Sequence, residues 1–189
     1  MKPLSANSAV FALLVAIGLV GRLCQPDWCV TPMAAVGLLA GYWFRNLWIA
    51  ALAPVTAMAL SDLVLASYGS AFVQLSVYGS FAATAVLGRV LSRPLAGRAP
   101  ALARLGVCVA APSMLFFLVT NFATWAGTAI YPKTLAGLAA CYTAAVPFYR
   151  PMLIGDVVYA TLLLGAAAAA GVYSIHGRVS SEAAAREQA

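Results

Sequence analysis

The sequence predicts an all-α membrane protein, one polytopic bundle of about six transmembrane helices. Three observations predict it. Hydrophobic residues make up 63% of the 189 positions and charged residues 8%, where a soluble domain carries roughly a quarter charged residues. The apolar residues come in runs near the length, roughly 20 residues, that a helix needs to cross a hydrocarbon core about 30 Å thick. No period-two alternation breaks those runs, so a membrane β-barrel does not compete.

Six segments carry the pattern, approximately 6–23, 32–44, 47–67, 71–91, 105–126 and 152–174. The first is not read as a removable leader, because Gly21, Arg22 and Leu23 precede Cys24 and an arginine there suits neither a small-residue cleavage site nor lipid attachment. The second is short. It opens at Thr31-Pro32 and closes at Phe44-Arg45, as a steep or partly re-entrant helix does where protein surrounds it. Between the fifth and sixth spans, residues 128–151 hold a moderately apolar middle, Leu135 to Val146, bounded by Pro132-Lys133 and by Pro147-Phe148-Tyr149-Arg150-Pro151. This stretch is expected as a separate helix at the outer surface, capped by Thr134 or begun just after Pro132, and free to move as a lid because prolines divide it from its neighbours. The bundle is expected over 1–175, with 176–189 a polar cytoplasmic tail.

Basic residues set the orientation. With the N-terminus inside, Lys2, Arg45, Arg89, Arg93, Arg98, Arg104, Arg178 and Arg186 are cytoplasmic and Arg22, Lys133 and Arg150 are outside, 8 against 3. The net charge of +6 is scattered between apolar runs and makes no stripe for nucleic acid. Cys24, Cys29, Cys108 and Cys141 have no metal-ligand spacing, so no metal site and no cofactor is expected. Cys24 and Cys29 are either a disulfide in an outer loop or small half-buried thiols.

Polar residues then fall at one depth, in the outer half. Asp62 lies near the outer end of the third span, Gln74 and Tyr78 in the first turns of the fourth, Asn121 and Trp125 at the end of the fifth and Asp156 at the start of the sixth. Tyr131 and Tyr142 join them from the connecting segment. Such groups cost about 2.5–3.5 kcal/mol each in a membrane helix and face a cavity or a partner. Two readings stand side by side: they line a pocket for a small solute, or Asp62 and Asp156 pair with Arg22 or Arg150 and serve packing alone. His176 stands by itself in the tail, so no nucleophile has a base, and no Gly-Lys-Ser/Thr phosphate loop is present. Asp62 with Asp156 leaves an intramembrane acid pair as an alternative chemistry. Ala12 and Ala16 make a small-x-x-x-small stripe on which a second helix can pack.

Several of these residues also carry a resemblance: Arg22-Leu23, Thr31-Pro32, Ala34-Ala35 and Gly41; Ser61-Asp62-Leu63; Asn121-Phe122 to Trp125; Tyr131-Pro132-Lys133-Thr134; Cys141-Tyr142; Ala145 to Phe148; and Gly155-Asp156. With them the chain resembles a bacterial family of uncharacterised six-helix transport proteins and, in architecture, the substrate-binding S component of energy-coupling-factor vitamin transporters. The resemblance implies a six-helix bundle in the bacterial inner membrane that holds a vitamin-like solute near its outer face. It also implies docking through Ala12 and Ala16 to a transmembrane coupling protein driven by ATPase subunits. Trp28-Cys29 departs from the Asn-aromatic pair expected before Thr31-Pro32. The expected function is thus solute binding for transport, with an intramembrane enzyme and a ligand-free scaffold as alternatives. The orientation has a direct check: a membrane-impermeant thiol reagent added outside should label a cysteine placed beside Lys133 and miss one placed beside Gly97, and the reverse pattern overturns it.

Overall fold

A computed structural model describes residues 4–25, 29–65, 68–94 and 97–171, and among these six helices form and no strand. They are α1 Leu4–Leu23, α2 Met33–Trp43, α3 Leu47–Asp62, α4 Ala71–Leu91, α5 Arg98–Gly127 and α6 Leu135–Ala169. The expected tail 176–189, with His176, and Trp28 lie outside the described residues. α1, α4, α5 and α6 are long and apolar enough to cross a membrane; α2 and α3 are shorter apolar helices. Arg22 on α1 meets Asp62 on α3, Tyr78 on α4 also reaches Asp62, and Trp125 on α5 reaches Pro132 before α6. Successive helices therefore alternate in direction, and these contacts mark one end of the bundle, the Arg22 end.

A helix that is apolar on every side belongs inside a bundle. α2 is that helix. Met33 to Leu38, Ala40 and Gly41 are all buried, and the buried core around it consists largely of alanine, with Ala50, Ala53, Ala57 and Ala85 almost wholly enclosed. Large apolar side chains point the other way: Leu75, Val107, Ile154 and Leu162 are exposed on the helices that surround it. Small residues inside and branched ones outside is the arrangement of helices solvated by lipid tails, where close backbone approach replaces a hydrophobic core as the source of cohesion.

The closest approach joins α2 to α4. A Cβ on Gly41 would overlap the Ala85 carbonyl, one on Gly88 would overlap the Leu38 carbonyl, and one on Gly37 would collide with Thr84 Oγ1. Gly37 and Gly41 form a G-x-x-x-G pair, facing Thr84 and Gly88 at the same spacing. Arg89, one residue further along α4, donates to the carbonyls of Phe44 and Arg45 and so satisfies the C-terminal end of α2. α3 starts at once, with Asn46 as N-cap accepting from the Trp48 amide at 2.9 Å. On the other flank Gly18 of α1 is held close to Ala57 of α3, where a Cβ would stand 2.8 Å from the alanine methyl.

Several boundaries differ from the sequence expectation. α3 ends at Asp62 and not at 67, while α5 begins at Arg98 and not at 105; Pro100 sits in its first turn, where a missing N–H costs nothing. The larger correction concerns the expected surface helix over 128–151. Thr134 does cap it, accepting from the Gly137 amide at 3.1 Å, yet the helix passes through Pro147 and Pro151 and continues as α6 to Ala169. It is not a separate unit bounded by its prolines.

The prolines act on shape instead. Ser113 of α5 meets Asp156 and the Asn121 carbonyl meets Cys141, so α5 covers eight residues, about 12 Å of rise, while α6 covers fifteen, about 22 Å. The two cannot run straight alongside each other over this stretch. α6 bows away and returns, with both prolines in the bow.

The glycine contacts yield a prediction. Gly88→Ala or Gly41→Ala forces α2 and α4 apart and should destabilise the detergent-solubilised protein by about 1–3 kcal/mol or more. Gly79→Ala and Gly106→Ala, whose Cβ atoms would meet nothing within 4 Å, should be neutral or gain up to about 1 kcal/mol from helix propensity. Thermal melting of the four variants checks the contrast.

Candidate functional site

α2 is only 11 residues long, about 16 Å, and α4 runs on past its start through Val77 to Ala71. The space left at the Arg22 end is a chamber of about 430 Å³ to which α2 contributes no wall. Arg22 comes from α1, Met58 from α3, Val77, Ser80, Phe81 and Thr84 from α4, Pro112 and Phe116 from α5, and Met152 and Asp156 from α6. Gln25, Cys29 and Thr31 from the loop before α2, with Leu65 and Tyr68 from the loop after α3, complete the wall.

Arg22 is held from several directions. Its Nη1 donates to Asp62 Oδ1 at 2.5 Å, to Ser61 Oγ and to the Met58 carbonyl at 3.3 Å, and its Nη2 donates to the Tyr68 hydroxyl at 2.6 Å. Tyr78 donates to the other oxygen of Asp62 at 2.7 Å. The ion pair is 13% and 14% exposed, so each charge needs the other, since an unpaired charge in apolar surroundings carries a large desolvation cost. Burial pushes the Tyr68 hydroxyl up to about 12, against the lowering influence of Arg22, so it stays protonated and keeps a hydrogen to donate.

Asp156 is different. Only 7% exposed, it accepts from Ser113 Oγ at 2.5 Å, and among the described residues no cation pairs with it. Phe81 and Phe116 stand in the same wall with ring centroids 5.1 Å apart. The adjoining loop carries backbone strain, because Cys29 has φ 68° without being glycine. Cys24 and Cys29 are not joined by a disulfide. Cys29, Phe116 and Met152 also line a second cavity of about 190 Å³, completed by Phe117, Thr120, Asn121, Ala145, Phe148 and Tyr149. It lies where α6 bows away from α5.

The polar residues singled out in the sequence therefore divide. Asp156 lines the main chamber. Asp62 and Tyr78 stand behind Arg22 and hold it, which realises the pairing alternative for Asp62. Asn121 lines the side cavity, its amide donating to the Phe117 carbonyl at 2.7 Å. Gln74 is exposed on α4. Trp125 donates to the Pro132 carbonyl at 2.9 Å beneath the Lys133 ammonium, and Tyr142 donates to the Leu118 carbonyl at 2.7 Å; both belong to the α5–α6 pairing. Tyr131 sits in the α5–α6 connection and lines neither cavity. Ala12 and Ala16 are exposed on α1. Arg22 itself, the two phenylalanines and the two methionines also line the chamber, and Ser113 holds Asp156 through its hydroxyl. Of these only Arg22 had a signal in sequence, as a charge in an apolar helix.

A groove of similar volume between α5 and α6 at the opposite end, lined by Leu102, Leu105, Val109, Ala160 and Leu164 among others, offers one side-chain hydroxyl, Thr161. It suits an acyl chain and not a polar solute.

Fold and chamber together define a class: an all-helical, small-residue-packed bundle with apolar helices long enough to cross a membrane and a partly polar hollow at one end. The chain belongs to the family of unknown function DUF6580, whose model matches residues 2–177. No curated protein and no solved structure matches it.

The ion pair can be tested by a double-mutant cycle. Arg22→Leu alone leaves Asp62 buried and unpaired and should cost about 3–5 kcal/mol of stability. Combining it with Asp62→Leu should recover most of that loss, and equal damage in the single and double variants would show that the pair contributes packing only.

Proposed function

We propose that the protein binds a small solute in the chamber at the Arg22 end and serves as the solute-binding component of a membrane transport system, similar in kind to the S components of energy-coupling-factor vitamin transporters. One observation carries this reading. A hollow of about 430 Å³, within the roughly 300–1,000 Å³ of small-molecule sites, stands open beside an α2–α4 contact tight enough to require glycine. Protein interiors leave few voids larger than a water molecule, so packing alone gives no reason for it. Its chemistry, a buried carboxylate and a paired guanidinium among aromatic and thioether side chains, suits an organic solute of vitamin size better than a bare ion.

The excess of basic residues on the opposite side favours an orientation with both termini cytoplasmic and the chamber outward, which fits uptake across a bacterial inner membrane. The exposed Ala12–Ala16 stripe is available to a transmembrane coupling protein, and the lack of a phosphate-binding loop assigns any nucleotide hydrolysis to partner ATPase subunits. An intramembrane enzyme using Asp62 and Asp156 fits less well. Both oxygens of Asp62 are engaged by Arg22 and Tyr78, which suits an ion-pair partner and not a proton carrier. A scaffold without ligand gives no account of the chamber.

Mass spectrometry of small molecules retained by the purified protein should find a solute leaving chemically unchanged. Adding it back at 100 times its dissociation constant should stabilise the protein by about 2.7 kcal/mol. It should also slow alkylation of Cys29 in the chamber wall while the exposed Cys24 reacts as before. Stabilisation without Cys29 protection would place the solute elsewhere, and release of an altered compound would favour the enzyme reading.

A further inference from the structure

The two charges in the chamber wall are not equivalent. Arg22 carries its counter-ion with it, since Asp62 and the hydroxyls of Ser61 and Tyr68 take up its guanidinium. Asp156 has one hydrogen bond to one oxygen and, among the described residues, no cation. The chamber thus presents a carboxylate with an acceptor oxygen to spare, set among Phe81, Phe116, Met58 and Met152. A buried carboxylate without a partner is costly, and a positive charge delivered by a ligand removes that cost. Aromatic faces beside it add attraction for a cation, most of all an alkylated one that gives up little hydration.

The second cavity extends this surface. It shares Cys29, Phe116 and Met152 with the first, and Phe117, Phe148 and Tyr149 line it, with Asn121 as its amide. Phe117 and Tyr149 stand edge to face at 5.3 Å. Among the described residues no charged side chain lines it. The register of α5 against α6 explains why it exists, because the bow through Pro147 and Pro151 lifts α6 off α5 there.

We infer that the site is bipartite and takes an organic cation: Asp156 holds the positive end, and an apolar or aromatic arm passes between Cys29, Phe116 and Met152 into the cavity under the α6 bow. This rests on the solute-binding reading above and adds the charge and the shape of the solute. Arg22, already neutralised, sets the wall and does not select an anion.

The test uses the full chain in detergent and two probes of nearly equal size, phenylbutylamine, a cation at neutral pH, and phenylbutyrate, an anion. Phenylbutylamine should raise the melting midpoint by several degrees and phenylbutyrate should not. Benzylamine, too short to reach the side cavity, should bind about tenfold or more weakly than phenylbutylamine. Asp156→Asn should weaken amine binding about thirtyfold. Ala145→Trp, which fills the side cavity and leaves Asp156 in place, should erase the advantage of the longer amine while benzylamine binds as before. Should Asp156→Asn fail to fold, the amine-against-acid comparison and the Ala145 variant still decide. Equal or better stabilisation by the acid, unchanged amine binding in folded Asp156→Asn, or a length preference that survives Ala145→Trp would each overturn the inference, as would no response to either probe. A retained solute identified as neutral or anionic would overturn it too, and would leave the solute-binding reading intact.

Discussion

The structure depends on the backbone contact between α2 and α4. Gly37 and Gly41 on one helix and Thr84, Ala85 and Gly88 on the other meet with no room for a larger side chain, which fixes the height of the short α2 against its longer neighbour. Apolar attraction cannot fix such a position among lipid tails, because hydrocarbon on either side of an interface is equivalent. Shape can. With α2 held there and its C-terminal end satisfied by Arg89, its N-terminal end stops short of the ends of α1, α3 and α4, and the chamber is the volume it does not fill.

What lines that volume follows from the same placement. The ends of α1 and α3 are brought together around Gly18 and Ala57, so Arg22 and Asp62, the last-turn residues of the two helices, meet without solvent between them. Each offsets the other's charge in a setting where a lone charge is costly. α6 contributes Asp156, which no cation pairs with among the described residues, at the point where the loop residue Val30 packs on Gly155, and its bow separates it from α5 just beyond. One interface, one ion pair and one bent helix are enough to build the two adjoining hollows.

The fold class and most helix positions were legible because hydropathy and length are strong signals in a membrane chain. The continuity of α6 was not. Pro147 and Pro151 read as helix stops because an interior proline costs about 3 kcal/mol in a soluble helix, whereas a helix in a bundle can bend there and have its freed carbonyls served by neighbours. For the same reason Arg98 to Arg104, with Pro100 among them, read as loop and is the first two turns of α5. In the site, position along each helix was legible and direction was not. Asp62, Asn121, Asp156, Gln74, Trp125, Tyr131 and Tyr142 all fall toward the Arg22 end, but of these only Asn121 and Asp156 line a cavity. Helices apolar all round carry no stripe from which to read which way a residue points. Phe81, Phe116, Met58 and Met152 gave no signal for the same reason, being apolar residues in apolar helices.

The central claim is that the volume left by the short α2 is a solute site. An experimental structure of the protein purified gently from its native membrane, with whatever it retains, tests this most directly. Density for a small organic molecule between Arg22, Phe116 and Asp156, under the loop that carries Cys29, is the result the account predicts. A chamber closed by its own side chains or holding only ordered water, in protein shown to carry a solute bound elsewhere, would contradict it.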